Sequence, residues 1–223
     1  MTHGLLTLAL VTVSGALALA QTPQPSAAAA QTPAARPRPA SPPGTSQTQV
    51  GGTWVKDEKG GQQYRDGKWV EITYGRPLLR GRDVFGTGVS YGTTLKAGAP
   101  VWRAGANVST RLLTEAPLTI GGTTVPPGEY SLYIDPKSPT EWTLIVSSWG
   151  AKKTGNDLTP GTLWGAYNYT PEKDVVRVPM TVANSQASVD QLTWGFCDVT
   201  ATSGKMFLAW GTVNAMVPFT LAK

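Results

Sequence analysis

The sequence has almost no histidine or cysteine, and this scarcity excludes several classes of enzyme. Its 223 residues include one histidine, His3, and one cysteine, Cys197. A single cysteine cannot form an intrachain disulfide. A single histidine at the extreme N-terminus cannot complete a Ser-His or Cys-His catalytic pair, or a Cys/His zinc site, within the rest of the chain. We therefore assign no catalytic residue and predict no metal and no cofactor.

Charged residues are also few, at 15% of the chain. There are 19 Lys and Arg against 14 Asp and Glu, but Arg36 and Arg38 lie in a Pro/Ala tract. Without these two, 17 basic and 14 acidic residues leave a net charge of +3. So small a surplus does not predict nucleic-acid binding. The carboxylates show no Asp-x-Asp cluster, so an oxygen-ligand metal site is not predicted either.

The first 50 residues predict export. Gly4 to Ala20 is apolar and ends in Ala18-Leu-Ala20, which is typical of a signal peptide cleaved after residue 20. No Lys or Arg precedes this segment, which leaves an uncleaved anchor as the alternative and the one route to membrane contact. Residues 21–50 are rich in Pro, Ala, Thr and Gln and predict a disordered spacer. The expected location is the periplasm or the cell exterior.

Residues 51–223 predict a single all-β domain. Lys68–Tyr74 and Glu129–Asp135 alternate apolar and polar residues, and Asp66-Gly67 and Gly121-Gly122 are typical of hairpin turns. No segment sustains the 3.6-residue apolar period of a helix. Many short strands over about 170 residues predict an antiparallel β-sandwich, or alternatively a flattened barrel, with little or no helix after the N-terminal signal.

An arginine-rich stretch, Tyr74–Gly86 together with Val101–Asn107, is the first candidate site. Guanidinium groups match the geometry of carboxylate, sulfate and phosphate, so these arginines could form a preorganised anion site. In the alternative, they pair with Glu71, Asp83, Asp174 or Asp198 and tie an irregular segment to the sandwich, which is the commoner use of such arginines. The candidate ligand-binding residues here are Arg76, Arg82, Trp102, Arg103 and Asn107.

A long aromatic connection between Val146 and Val175 is the second candidate. Connections beyond about 12–15 residues in a compact domain are often functional. Trp164 and Tyr167 are the candidate residues here, and with Trp149 and Tyr169 they could form a stacking platform for sugar rings. In the alternative, Trp164–Tyr169 is a strand and the tryptophans fill the end of the sandwich.

Several motifs occur in the order found in one bacterial family. They include Tyr74-Gly-Arg-Pro, Arg80-Gly-Arg-Asp-Val-Phe-Gly86, Trp102-Arg-Ala-Gly-Ala-Asn107 and Trp164-Gly-Ala-Tyr-Asn-Tyr169. From about Gln62 to Lys223 the chain resembles the bacterial domain of unknown function 2911 family. This resemblance implies an exported protein with no established activity. The chain departs from the family by the Gly51–Gly61 insertion, which carries Trp54, and by Ala104, where the family has threonine.

Three functions from different classes are compatible with these features. The leading hypothesis is an exported, non-catalytic β-sandwich that binds a polar or anionic envelope component or a glycan. The alternative is a carboxylate-dependent hydrolase of polysaccharide or cell wall, which needs two carboxyl groups across a cleft. A structural or assembly module is the third. Nucleic acid is not an expected partner in any of them.

Overall fold

A computed structural model describes residues 39–222, and these residues form a sandwich of two antiparallel sheets. Within residues 39–222, helical structure is limited to α1 (Thr93–Lys96) and the 3-10 turns Gly88–Ser90 and Pro171–Lys173. The predicted all-β fold is therefore confirmed. The strands are β1 (Pro43–Val50), β2 (Thr53–Lys56), β3 (Gln62–Arg65), β4 (Lys68–Gly75), β5 (Thr110–Thr114), β6 (Leu118–Ile120), β7 (Thr123–Val125), β8 (Gly128–Pro136), β9 (Trp142–Ser147), β10 (Gly150–Ala151), β11 (Thr162–Leu163), β12 (Asp174–Pro179), β13 (Thr181–Cys197) and β14 (Ser203–Leu221).

The larger sheet has six strands in the order β1-β4-β5-β8-β9-β12, and the facing sheet has four in the order β13-β14-β6-β7. Two small sheets, β2-β3 and β10-β11, lie beside them. The six-stranded sheet ends at β1 and β12, so it is open, and residues 39–222 do not form the flattened barrel of the alternative prediction. Pro179 lies in the edge strand β12, where its missing N–H removes no hydrogen bond from the interior of the sheet.

The core lies between the two sheets because their strands alternate apolar and polar side chains. In β4, Val70 and Ile72 are completely buried, whereas Glu71 between them is partly exposed. Trp142 from the larger sheet and Trp194 from the smaller one are also buried in this core. Burying side chains of this size stabilises the sandwich by roughly 1.5–3 kcal/mol each.

Strands β8 and β9 differ from the other strands because both of their faces are covered. Tyr133 and Ile145 point away from the main core and are buried in a second, smaller apolar cluster. Leu163, Ala166 and Tyr169 contribute the covering side chains of that cluster from the long connection between β9 and β12. This connection therefore packs on the outer face of the sheet.

Two hairpin predictions have opposite outcomes. The Gly121-Gly122 turn joins β6 and β7, which pair in antiparallel register, as predicted. The hairpin predicted across Asp66-Gly67 is wrong, because β3 pairs with β2 while β4 pairs with β1 and β5. Asp66 has a φ of 61°, so a turn is present there, but it leads from one sheet to another.

The predicted spacer extends too far at its C-terminal end. Residues 43–50 form β1, which pairs with β4 along its whole length, and Val50 is completely buried. Alternating Gln and Thr residues place one side of this strand toward solvent, which is why its composition resembled a spacer. The predicted signal peptide and residues 21–38 of the spacer lie outside the described residues. No helix within residues 39–222 is long and apolar enough to cross a membrane.

Candidate functional site

The segment between β4 and β5 is irregular and is shaped by left-handed backbone conformations. Arg80, Ala97, Ala104 and Asn107 all have positive φ, between 49° and 64°. Such conformations cost non-glycine residues free energy and persist only where surrounding contacts impose them. At Ala104 the imposing contacts are clear. Its carbonyl accepts hydrogen bonds from the Trp194 indole at 2.8 Å and the Thr110 hydroxyl at 3.1 Å, which attach the segment to both sheets.

Trp102 attaches the same segment to the edge of the core. It forms an isolated β-bridge with Ile134 of β8, with N···O distances of 2.8 Å in both directions. Its ring is 2% exposed and meets the rings of Trp142 and Trp210 at centroid distances of 6.1 and 6.2 Å. Trp102 is therefore an anchor whose ring has little surface left for a ligand.

A backbone carbonyl and an aromatic ring hold Arg103 in place. Its Nη1 donates to the carbonyl of Asn107 at 2.6 Å, and its guanidinium carbon lies 5.2 Å from the centre of the Tyr167 ring. Tyr167 is fixed in turn, because its hydroxyl donates to the Ala97 carbonyl at 3.1 Å. The guanidinium also packs against Gly165, where a Cβ atom would come within 2.5 Å of it.

Arg82 and Asn107 are also held by backbone carbonyls. Arg82 donates Nε to the carbonyl of Leu79 at 3.1 Å and Nη2 to that of Leu78. The Asn107 amide nitrogen donates to the carbonyl of Ser41 at 3.2 Å, which joins the segment to the residues before β1. These contacts fix both side chains at the surface.

Four of the seven predicted residues line one cavity of about 260 Å³. We call it the arginine cavity. Within the described part of the chain, no Asp or Glu lines it. The predicted ligand-binding residues among its lining are Arg82, Trp102, Arg103 and Asn107. Pro77, Val84, Gly105 and Ala106 belong to the predicted stretch as well, and the lining residues outside it are Ser41, Thr94, Leu95, Ala97 and Trp210.

The remaining three predicted residues lie elsewhere. Arg76 lines a separate cleft of about 590 Å³ with Arg80 and Gln191, and its Nε lies 3.5 Å from the carbonyl of Leu192. Tyr167 touches the arginine cavity only through Arg103 and Ala97. Trp164 is partly buried in the long connection and is not part of the arginine cavity.

The predicted ion pairs of these arginines do not form. Neither Arg76, Arg82 nor Arg103 lies within 4 Å of a carboxylate oxygen in residues 39–222. The proposed acidic partners have other roles. Asp174 pairs with Arg177 at 2.8 Å, Asp198 pairs with Lys205 at 2.7 Å, and Asp83 accepts the backbone N–H groups of Phe85 and Gly86.

The aromatic connection is mostly a cover for the sheet. Tyr169 is buried in the smaller apolar cluster, and Trp149 packs against that cluster while its indole donates to the Thr170 carbonyl at 3.0 Å. The predicted alternative of a strand over Trp164–Tyr169 is also wrong, since the paired residues of this connection are Gly150–Ala151 and Thr162–Leu163. These rings do not form an open stacking platform.

Paired catalytic carboxylates are not assembled at the arginine cavity. The two least exposed carboxylates among the ion pairs of the described region belong to Asp135 and Asp174, and each is bound to a cation, Lys96 at 2.7 Å or Arg177 at 2.8 Å. Asp57 lies in a turn and accepts the backbone N–H groups of Lys59 and Gly61. No group of three or more His, Cys, Asp or Glu side chains is arranged to hold a metal in residues 39–222.

One family model matches the part of the chain that contains the motifs of the site. The model of the family described as "Protein of unknown function (DUF2911)" matches residues 57–219. No curated protein and no solved structure matches the chain. The match covers most of the two sheets and nearly all of the arginine cavity, so the chain belongs to the DUF2911 family.

Proposed function

We propose that this chain is an exported, non-catalytic binding protein whose arginine cavity takes a small anionic group, such as a carboxylate or sulfate on an envelope glycan. The observation that supports this most strongly is the combination of Arg82 and Arg103 in one cavity, where no carboxylate oxygen of residues 39–222 lies within 4 Å of either side chain. Two guanidinium charges that no described carboxylate neutralises raise the local potential and attract an anion.

The hydrogen-bonding capacity of these side chains supports the same function. A guanidinium has five N–H donors. Arg103 uses Nη1 on Asn107, and Arg82 uses Nε and Nη2 on Leu78 and Leu79, so each retains N–H groups for a ligand. The donors already in use hold the side chains in place, which lowers the entropy lost when an anion binds.

The size and remaining lining of the cavity favour a small ligand or one end of a larger one. A volume of about 260 Å³ lies just below the usual range for drug-sized sites. Leu95, Val84 and Trp210 give it an apolar wall beside the arginines. An acidic sugar fits this lining, because its charged group can bind the arginines while its ring packs on the apolar wall.

The test is a calorimetric titration of the purified protein with glucuronate, sulfate, phosphate and acetate. Arg82→Gln removes one cavity charge and should weaken binding of the best anion about tenfold, because charge-assisted hydrogen bonds contribute about 1.5–3 kcal/mol. Arg80→Gln is the matched control, since Arg80 lies two residues away, is exposed and does not line the cavity. Equal weakening by both variants, or no anion binding at all, would rule the proposal out.

A further inference from the structure

A second cleft lies on another part of the molecule and contains three aromatic side chains, Trp54, Tyr64 and Trp69. It has a volume of about 610 Å³ and is formed where β2 and β3 meet the start of β4 and the loop between β13 and β14. We call it the aromatic cleft. The residues that carry its chemistry are Gln49, Thr53, Trp54, Tyr64, Trp69 and Thr200.

Its tryptophans are exposed, unlike those of the core. Trp54 is 67% exposed and Trp69 is 40% exposed, whereas Trp102, Trp142, Trp194 and Trp210 are almost completely buried. Trp54 and Tyr64 lie side by side, with ring centroids 5.3 Å apart and planes inclined at 57°. Large aromatic surfaces left open to water in one cleft are typical of a binding surface.

Hydrogen bonds around the cleft hold the Tyr64 side chain and parts of the surrounding backbone in place. The Tyr64 hydroxyl accepts the backbone N–H of Gly52 at 3.0 Å, and the backbone N–H of Gly51 donates to the carbonyl of Ala201 at 2.6 Å. The Trp69 backbone N–H donates to the Glu115 carboxylate at 2.9 Å. The cleft is therefore formed before any ligand arrives, which favours affinity.

Several polar groups in the cleft are left free. The indole N–H groups of five tryptophans donate to protein acceptors, namely Trp102, Trp142, Trp149, Trp194 and Trp210. Those of Trp54, Trp69 and Trp164 have no acceptor within residues 39–222, and of these three only Trp54 and Trp69 line the cleft; the Gln49 side-chain amide has no hydrogen-bond partner there either. A ligand of the cleft can thus be offered indole donors and an amide that both donates and accepts.

Among residues 39–222, no charged side chain lines this cleft. A matching ligand is uncharged, carries several hydroxyl groups and has an apolar face. Sugar rings combine these properties, because their axial C–H groups are slightly positive and stack on the negative face of an aromatic ring, while their hydroxyls reach neighbouring donors and acceptors. We infer that the aromatic cleft binds a neutral oligosaccharide, with Trp54 and Trp69 as stacking surfaces and Gln49 as a hydrogen-bonding group.

The aromatic cleft shares no lining residue with the arginine cavity. Part of the cleft also lies outside the residues that the family model matches. The match begins at residue 57, so Gln49, Thr53 and Trp54 precede it. The strand pair β2–β3 therefore adds residues to the sandwich that turn the exposed face of Trp69 into one wall of a cleft. Neutral and acidic portions of one envelope glycan could be bound at the two sites, but each site is tested separately.

The test is an NMR titration of the protein with cellotetraose, maltotetraose and chitotetraose at millimolar concentration, following the indole N–H signals of all tryptophans. We expect one of these sugars to shift the signals of Trp54 and Trp69 and to leave those of the buried tryptophans unchanged. No shift with any neutral sugar would overturn the inference. So would shifts that a proline-rich peptide produces and the sugars do not.

Variants give a second measurement. Trp54→Ala should lower the affinity for the sugar about tenfold. Trp54→Phe should lower it less, since the phenyl ring retains a stacking face but lacks the indole N–H. Leu158→Ala, a change at an exposed apolar residue away from the cleft, should leave affinity unchanged. Equal affinity in all three variants would overturn the inference. A concentration-dependent dimer that Trp54→Ala dissociates would also overturn it, because a second copy would then be the occupant.

Discussion

The guanidinium of Arg103 lies over the ring of Tyr167, with its central carbon 5.2 Å from the ring centroid. This contact joins the two regions that the sequence marks as candidate sites, the arginine-rich stretch and the long aromatic connection. Tyr167 is held by its hydrogen bond to Ala97, at the end of α1, and Arg103 by its hydrogen bond to Asn107. The connection therefore positions an arginine of the cavity, although most of its aromatic residues only cover the sheet.

Two substitutions of Tyr167 distinguish the contribution of its ring from that of its hydroxyl. Tyr167→Phe loses the hydrogen bond to Ala97 and should lower the free energy of unfolding by about 0.5–1.5 kcal/mol while leaving Arg103 in place. Tyr167→Ala also loses the cation–π contact, which contributes about 0.5–1 kcal/mol at exposed sites. Urea denaturation measures the loss of unfolding free energy, and anion titration measures whether Arg103 stays in position. If Tyr167→Phe and Tyr167→Ala bind anions with equal affinity, the Tyr167 ring does not position Arg103.

Gly165 is a second position where the connection controls Arg103. Its φ is 63°, and an added Cβ would lie 2.5 Å from the Arg103 guanidinium carbon. Gly165→Ala should therefore cost about 1–2 kcal/mol for the left-handed backbone and also displace the arginine. Gly161→Ala is the matched control, because its φ is 74° and its nearest neighbour is the Lys173 ammonium group at 3.2 Å.

Both glycine variants should lose stability in thermal unfolding, Gly165→Ala more because Arg103 also loses its contacts, but only Gly165→Ala should lose anion affinity. A loss of affinity in both would mean that general loosening of the connection, and not the position of Arg103, determines binding. Isothermal titration with the anion identified for the unmodified protein makes the comparison.

The sandwich could be predicted from sequence because its signal is local. Alternation in a strand such as β4 reports which face is buried, and Gly121-Gly122 reports a two-residue turn. The wrong pairing at Asp66-Gly67 has a physical cause. A turn-forming dipeptide has the same local chemistry whether the following strand returns beside the previous one or enters another sheet, so only long-range packing decides.

The candidate site was predictable in composition but not in arrangement. Arg82, Arg103 and Asn107 share one cavity, whereas Arg76 lies in another cleft, yet nothing in the spacing of the arginines distinguishes it. The backbone carbonyls that hold these arginines carry no side-chain signature, so the sequence favoured acidic partners instead. Trp54 had a usable signal, since it stands in an insertion relative to the family, but its cleft needs Trp69 and the β13–β14 loop from distant parts of the chain.

Tyr169 should make stability depend on alkaline pH. Burial and then its hydrogen bond to Asp174 raise the pKa of Tyr169 above the usual tyrosine value. A tyrosine in the unfolded chain ionises near pH 10, whereas the folded one stays protonated. The stabilising contribution is therefore complete below about pH 10 and is lost as the pH rises toward the raised pKa of the folded hydroxyl.

Tyr169→Phe tests this dependence. Its unfolding free energy should fall less steeply above about pH 10 than that of the unmodified protein. Some slope should remain, because burial also raises the pKa values of Tyr91, Tyr130 and Tyr133. At neutral pH the variant should be less stable, since the hydroxyl donates to Asp174 at 2.6 Å and accepts from Arg177 at 2.9 Å. Identical slopes in urea denaturation from neutral to alkaline pH would contradict the assignment to Tyr169.

Truncation tests where the folded domain begins. A chain starting at residue 51 lacks β1, which pairs with β4 over eight residues and buries Val50 completely. Loss of that side chain alone costs roughly 1.5–3 kcal/mol, and each lost hydrogen bond costs about 1 kcal/mol more, which together approach the whole stability of an ordinary domain. We therefore expect this chain to lose its cooperative thermal transition in circular dichroism. A chain starting at residue 39 keeps β1 and the contact between Ser41 and Asn107, and it should unfold at nearly the same temperature as the full chain. If the two truncations melt together, β1 does not belong to the stable sandwich, and residue 51 is the domain boundary after all.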